Sequence, residues 1–200
     1  SVAVFVYGDI GRSPRMQNHA VELSKSYEVY LMGYLETSPR SNVTENPNIK
    51  LVDLQLRSLQ SIRAFSYYLY VLIRIILQIL QIFYVLGWKY RGIKFVLVQN
   101  PPSIPNLLAI WMVSLVSRFK FCIDFHNYGY TILSLNVSSK FIVKAATVYE
   151  KVIAKRASKF FCVSEEMKKD LQANWGINAI TLYDRPRQKR QLAGDKKYFF

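Results

Sequence analysis

The chain is poor in the residues that staple a fold or hold a metal. Its 200 residues include two cysteines, Cys122 and Cys162, and two histidines, His19 and His126. Two cysteines, each inside an apolar run, exclude a disulfide framework and read as small buried hydrophobes in a reducing compartment. No Cys/His cluster has metal-ligand spacing, so no metal site is expected. Eight glycines and seven prolines are too few for a low-complexity or linker-rich chain. Acid is scarce as well: 13 Asp and Glu stand against 27 Lys and Arg, for a net charge of +14. That balance favours nucleic acid, anionic lipid heads or phosphorylated ligands. No glycine loop continues into Gly-Lys-Ser/Thr or has Gly-x-Gly-x-x-Gly spacing, which argues against generic NTP or dinucleotide chemistry. RNP, zinc-knuckle and helix-turn-helix signatures are missing, which argues against nucleic acid. The chain opens at Ser1 directly on a strand, and no signal peptide or leading anchor is read in it.

What is present is apolar and periodic. Half of the chain (51%) is hydrophobic, with 14 Tyr, 12 Phe and 3 Trp, enough for one well-cored domain, or one and a partial second. Strands are predicted at 2–7, 28–34, 49–52, 94–98, 120–124, 159–163 and 179–183. Most are unbroken apolar runs, as suits parallel strands covered on both faces. Helical patterns fill 14–25, 58–88, 104–117, 138–156 and 164–174. The last has Ser164 as N-cap, Glu165 and Glu166 in its first turn, and Gly176 as the residue that ends it. The alternation predicts an α/β fold with a doubly wound, mainly parallel, Rossmann-like sheet. Ligands of such sheets sit beyond the carboxyl ends of the strands.

Three polar loops fall at those ends. In the first, Gly8 and Gly11 permit a sharp turn and close backbone approach, Ser13 is placed to cap a helix starting at Pro14, and Arg12 and Arg15 offer two guanidiniums to a diphosphate. A tight turn with exposed arginines is the alternative. Asp9 is a carboxylate at the cleft, either catalytic or bonded to its own loop. In the second loop, Pro101-Pro102 holds Asn100 extended as a pocket wall. The third reads Asp124-Phe125-His126-Asn127-Tyr128-Gly129-Tyr130. Here His126 is either a substrate or acid–base residue or a hydrogen-bonded structural one, and Asp124 is a base or the group orienting the imidazole. Asn127, Tyr128 and Gly129 complete the binding wall. His19, inside the first helix, is expected to face solvent or pack locally. Asn42-Val43-Thr44 and Asn136-Val137-Ser138 match the glycosylation sequon, as such triplets do by chance.

Residues 67–87 form an apolar stretch long enough to span a bilayer. They carry Arg74, Gln78 and Gln81 at i, i+4 and i+7 as one polar stripe, with Arg57, Arg63, Lys89 and Arg91 flanking the segment. Spanning would place Arg74 near the bilayer centre at a cost of about 2.5 kcal/mol or more. An interfacial membrane helix over 58–91, a core helix and a true span are the three readings. After Tyr183 the chain becomes a basic linker or end, 184–200, without apolar periodicity.

In order, the runs 8–17, 99–102, 124–130, 149–151, 162–164, 174–175 and 183–186 resemble the amino-terminal half of the chitobiosyldiphosphodolichol β-mannosyltransferases. Those at 8–17 and 124–130 are the most specific. The resemblance implies an inverting GT-B glycosyltransferase that moves the first β-1,4-linked mannose from GDP-mannose to dolichol-diphosphate-linked chitobiose. It implies action at the cytosolic face of the endoplasmic reticulum membrane, with GDP-mannose as donor substrate and no cofactor. Residues 1–183 would then be the acceptor-side domain, with the donor domain lying beyond this chain. Other mannosyltransferases of the dolichol pathway are implied as possible partners. Members of the family begin with a membrane anchor that is not read here.

Overall fold

The computed structural model describes residues 1–55 and 67–184. The first part of the predicted 58–88 helix, the flanking Arg57 and Arg63, and residues 185–200 of the basic segment lie outside them.

Seven parallel strands form one sheet in the order β3-β2-β1-β4-β5-β6-β7. They are β1 (Val2–Asp9), β2 (Val29–Tyr34), β3 (Ile49–Asp53), β4 (Phe95–Asn100), β5 (Lys120–Phe125), β6 (Lys159–Cys162) and β7 (Ile180–Thr181). Each overlaps a strand predicted from an apolar run, because residues such as Val2 to Val6 are covered on both faces of the sheet. The helices are α1 (Pro14–Ser24), α2 (Ser41–Thr44), α3 (Tyr67–Ile82), α4 (Asn106–Ser117), α5 (Gly129–Asn136), α6 (Lys140–Ala154) and α7 (Glu165–Asp170). Helix α3 continues as a wider π-helical stretch, Phe83–Lys89, and α7 does the same over Leu171–Trp175. At the start of α7 Ser164 Oγ accepts from the Met167 N–H at 3.2 Å, and after the π-helical stretch Gly176 takes φ +67°, as the sequence predicts.

Two apolar clusters lie on the sheet. One holds Val4, Val6, Ile10, Met16, Ala20 and Leu31 under α1. The larger gathers Phe5, Leu86, Ile110, Phe121, Phe125 and Trp175 with the α3 and α4 side chains. Strand order reverses between β1 and β4, which run side by side from Val2↔Phe95 to Phe5↔Val98. The crevice at such a reversal is where open α/β sheets take ligands.

The long helix turns Gln78 and Gln81 of its polar stripe inward and leaves Arg74 exposed. The Gln78 amide donates to Asn106 Oδ1 on α4, and Gln81 Nε2 donates to Leu54 O at 3.0 Å. The opposite face, with Leu69, Leu72, Ile76, Leu80, Tyr84 and Trp88, is exposed. The helix is therefore docked through Gln78, Gln81, Ile82 and the Val85 and Leu86 side chains that follow it, and it presents a second apolar face outward, so it is not a fully buried core helix. Among the described residues, Leu69–Lys89 is the one helix long and apolar enough to cross a membrane.

Candidate active site

At the reversal the loop after β1 is joined to the end of β4: Ser13 Oγ donates to Gln99 Oε1. Ser13 precedes Pro14, the first residue of α1, but makes no side-chain cap. Its hydroxyl serves the end of the neighbouring strand instead of the helix. Between strand and helix the chain makes a short 3₁₀ turn, Ile10–Arg12. Asp9 Oδ1 caps that turn, accepting from the Gly11 and Thr37 N–H groups at 3.1 Å each, while Arg12 Nε lies 3.5 Å from Oδ2. Burial would raise the Asp9 carboxyl, but these hydrogen bonds and the Arg12 charge outweigh it and hold the group below its ordinary value. The loop-bonded reading of Asp9 is the one the geometry displays. A Cβ at Gly11 would overlap the Thr37 carbonyl, whereas one at Gly8 would meet nothing. Close approach at Gly11 is therefore to the chain's own 37–40 loop, and Gly8 faces open space.

The centre of the site is Asp124, at the carboxyl end of β5 and fully buried. Arg15 Nε and Nη2 grip its two oxygens at 2.7 and 2.9 Å. His19 Nε2 is 3.0 Å from Oδ2 and His126 Nε2 is 3.7 Å from the same atom. Burial alone would push the Asp124 carboxyl up. The two imidazoles and the guanidinium override that and hold it far below the usual carboxylate range. A carboxylate so held is a weak proton acceptor near neutral pH, but it is well suited to fix and polarise an imidazole. Arg15 is 7% exposed, and its Nη1 also donates to Leu182 O and to Asp184 Oδ1. Of the two arginines offered to a diphosphate, Arg15 is thus turned inward and Arg12 lies on the surface, with 80% of its side chain exposed.

His126 is half-buried at the same edge. Its N–H donates to Asn100 O at 2.9 Å, while Nε2 is buried without a hydrogen-bond partner. Asn100 is fully buried, and its Nδ2 donates to Glu150 Oε1 at 2.7 Å and to Asn127 O at 3.3 Å. Glu150, buried on α6, also accepts from the N–H groups of Gly129 and Tyr130 at 2.8 and 2.9 Å, so a carboxylate sits on the first turn of α5. Gly129 is required there, since a Cβ would overlap Ser103 Oγ. The loop predicted over 124–130 thus ends one turn into a helix. The Tyr128 hydroxyl donates to Asp170, and its ring packs on Tyr130 and Trp175; only Asn127 is exposed.

Two members of the site escape the sequence reading. His19 does not face solvent: it lies four residues after Arg15, on the same face of α1, and both reach Asp124. That spacing was the available signal. Glu150 shares one face of α6 with Ala146 and Ala154, all buried; an acid on an otherwise small apolar face marks it. No group of three or more His, Cys, Asp or Glu able to hold a metal occurs among the described residues.

No family model matches the chain. It is 34% identical to the chitobiosyldiphosphodolichol beta-mannosyltransferase of Mus musculus and 35% identical to that of Candida albicans, over 92% and 100% of its own length. The chain is a homologue of these beta-mannosyltransferases. It spans 38% and 45% of their lengths. A relative from Arabidopsis thaliana, the UDP-glycosyltransferase TURAN, is 35% identical over 92% of the chain and 40% of its own length. Among solved structures, sucrose-phosphate synthase from Thermosynechococcus elongatus superposes with a TM-score of 0.51 at 15% identity. The match covers 91% of this chain and 46% of that one, a likeness of fold alone. The mannosyltransferase homologue therefore has a Rossmann-like parallel sheet shared with that structure, with the Asp124 cluster at the sheet's carboxyl edge.

Proposed function

We propose that the chain is the acceptor-side part of a β-1,4-mannosyltransferase. In this reading mannose passes, with inversion, from GDP-mannose to dolichol-diphosphate-linked chitobiose at the cytosolic face of the endoplasmic reticulum membrane. The observation that carries the reading is likeness over nearly the entire chain to enzymes so named. The site supports it chemically. His126, partly exposed and with its buried Nε2 3.7 Å from the ionised Asp124, is the imidazole placed to take a proton from an acceptor hydroxyl through its exposed edge. Asp124 and Arg15 position it, and the exposed Arg12 remains the guanidinium available to a phosphate. The exposed apolar face of α3 suits a substrate that is itself a lipid.

The test is a chimera in which this chain replaces the aligned segment of the Candida albicans relative. Mannosyl transfer from GDP-mannose to a chitobiosyl-diphosphate lipid is expected, with UDP-sugars inactive. Transfer from a UDP-sugar alone would move the protein to another donor class, and a folded but inert chimera would reject the reading. A GT-B reaction needs both walls of its cleft for positioning, so the 200-residue chain by itself is expected to turn over little or no substrate.

A second reading, a non-catalytic membrane-peripheral binding module, draws on Asp124 and Asp9 both being engaged within the fold. It predicts lipid binding by the chimera without transfer.

A further inference from the structure

A cavity of about 290 Å³ lies between the inward side of α3 and the loop that follows β4. Tyr70, Val71, Arg74 and Ile75 line it from the helix, and Ile104 and Pro105 from the loop. Arg74 is the single charged residue between Leu69 and Ile82. Its Nη1 donates to the Tyr70 hydroxyl at 3.0 Å, and the Tyr34 side chain, at the end of β2, lies close enough to favour the charged form of Arg74. Neither is a carboxylate. Among the described residues Arg74 makes no ion pair, so its charge is left for a ligand to balance.

The position is informative. Arg74 is exposed, and it borders an open cavity beside the loop that follows β4, at the ligand-bearing edge of the sheet. The other face of the same helix presents Leu72, Ile76 and Leu80 to the outside. A ligand matched to both would carry an anion for Arg74 and a hydrocarbon chain for the exposed face. We propose that this cavity receives the phosphate head of the isoprenoid lipid acceptor, with Arg74 as its anchor and the outer face of α3 supporting its chain. This rests on the acceptor being a lipid diphosphate, as set out above.

The experiment measures binding of farnesyl diphosphate, farnesol and inorganic diphosphate to the 200-residue chain in detergent, with no sugar donor present. Failure of this proposal and failure of the mannosyl-transfer reading are therefore separate results. Arg74→Gln should weaken farnesyl diphosphate about 10- to 100-fold, the range of a charge-assisted contact, and leave farnesol within about twofold. Ile104→Trp, which fills the cavity and keeps the charge, should weaken farnesyl diphosphate comparably. Melting curves identify any variant that fails to fold, and Arg74→Lys then replaces Arg74→Gln, with partial retention of binding expected. Undiminished farnesyl diphosphate binding by Arg74→Gln and Ile104→Trp would overturn the proposal. So would inorganic diphosphate binding as tightly as the lipid, which would mark a free-phosphate site. A second groove, of about 670 Å³ on α5 and α6, carries Lys140, Lys144 and Lys151. Loss of lipid binding in Lys140→Gln/Lys144→Gln, with Arg74→Gln unaffected, would move the head there and equally reject the Arg74 site.

Discussion

Asp124 and Arg15 set the energetics of the site one residue at a time. Removing one member of a buried pair leaves the other charge uncompensated, at a cost of about 3–5 kcal/mol. Asp124→Asn should therefore lower stability by that order, read by urea denaturation at neutral pH. The folded Asp124 carboxyl lies below its unfolded value, so its contribution is present above the unfolded pKa of about 3.9 and fades as pH falls toward the folded value. Wild-type stability should thus drop on acidification below about pH 4, and more steeply than that of Asp124→Asn; parallel pH profiles would contradict the assignment. Gly11→Val should destabilise by about 1–3 kcal/mol or more through its overlap with Thr37, so a fall in activity there would report folding as well as ligand approach. At this scale the sequence was legible in part. It marked Asp124, His126 and Arg15, but not that Arg15 reaches 109 residues along the chain to Asp124. Long-range pairing of charges leaves no local signature.

Among the elements, α3 turns composition into orientation. Its outward residues follow a three- and four-residue spacing, while Ile79 and Phe83 pack against the core. Changing Leu72, Ile76, Leu80 and Tyr84 to Ser should abolish flotation with anionic liposomes at an unchanged melting temperature; persistent flotation would show that another surface binds lipid. Ile79→Ser should instead reduce stability. The seven strands and the longer helices were legible because apolar runs and helical periodicity survive packing on the sheet. Two short helices were not. Helix α2 covers only Ser41–Thr44, and α5 begins inside a polar loop. The start of α5 is held by Glu150 from a distant helix, a tertiary contact that no window of neighbouring residues reports.

For the molecule as a whole, a charge of +14 and an exposed apolar helix act together on a lipid surface and respond differently to salt. Raising salt from 0.1 to 1 M shortens the screening length from about 10 to about 3 Å. Association with phosphatidylserine vesicles should weaken strongly over that range, and the weaker association with phosphatidylcholine should hardly change; equal salt responses would remove charge from the account. The inward stripe of α3 also bears on the order of events during synthesis. Gln81 turns to Leu54, made before the helix, but Gln78 must wait for Asn106, 28 residues downstream. At translation rates of about 5–20 residues per second, the wait lasts roughly one to six seconds. For that interval the nascent segment displays its hydrocarbon face with one amide still seeking its acceptor, and whatever meets the ribosome exit first, bilayer or chaperone, meets the helix before the lock that closes it exists.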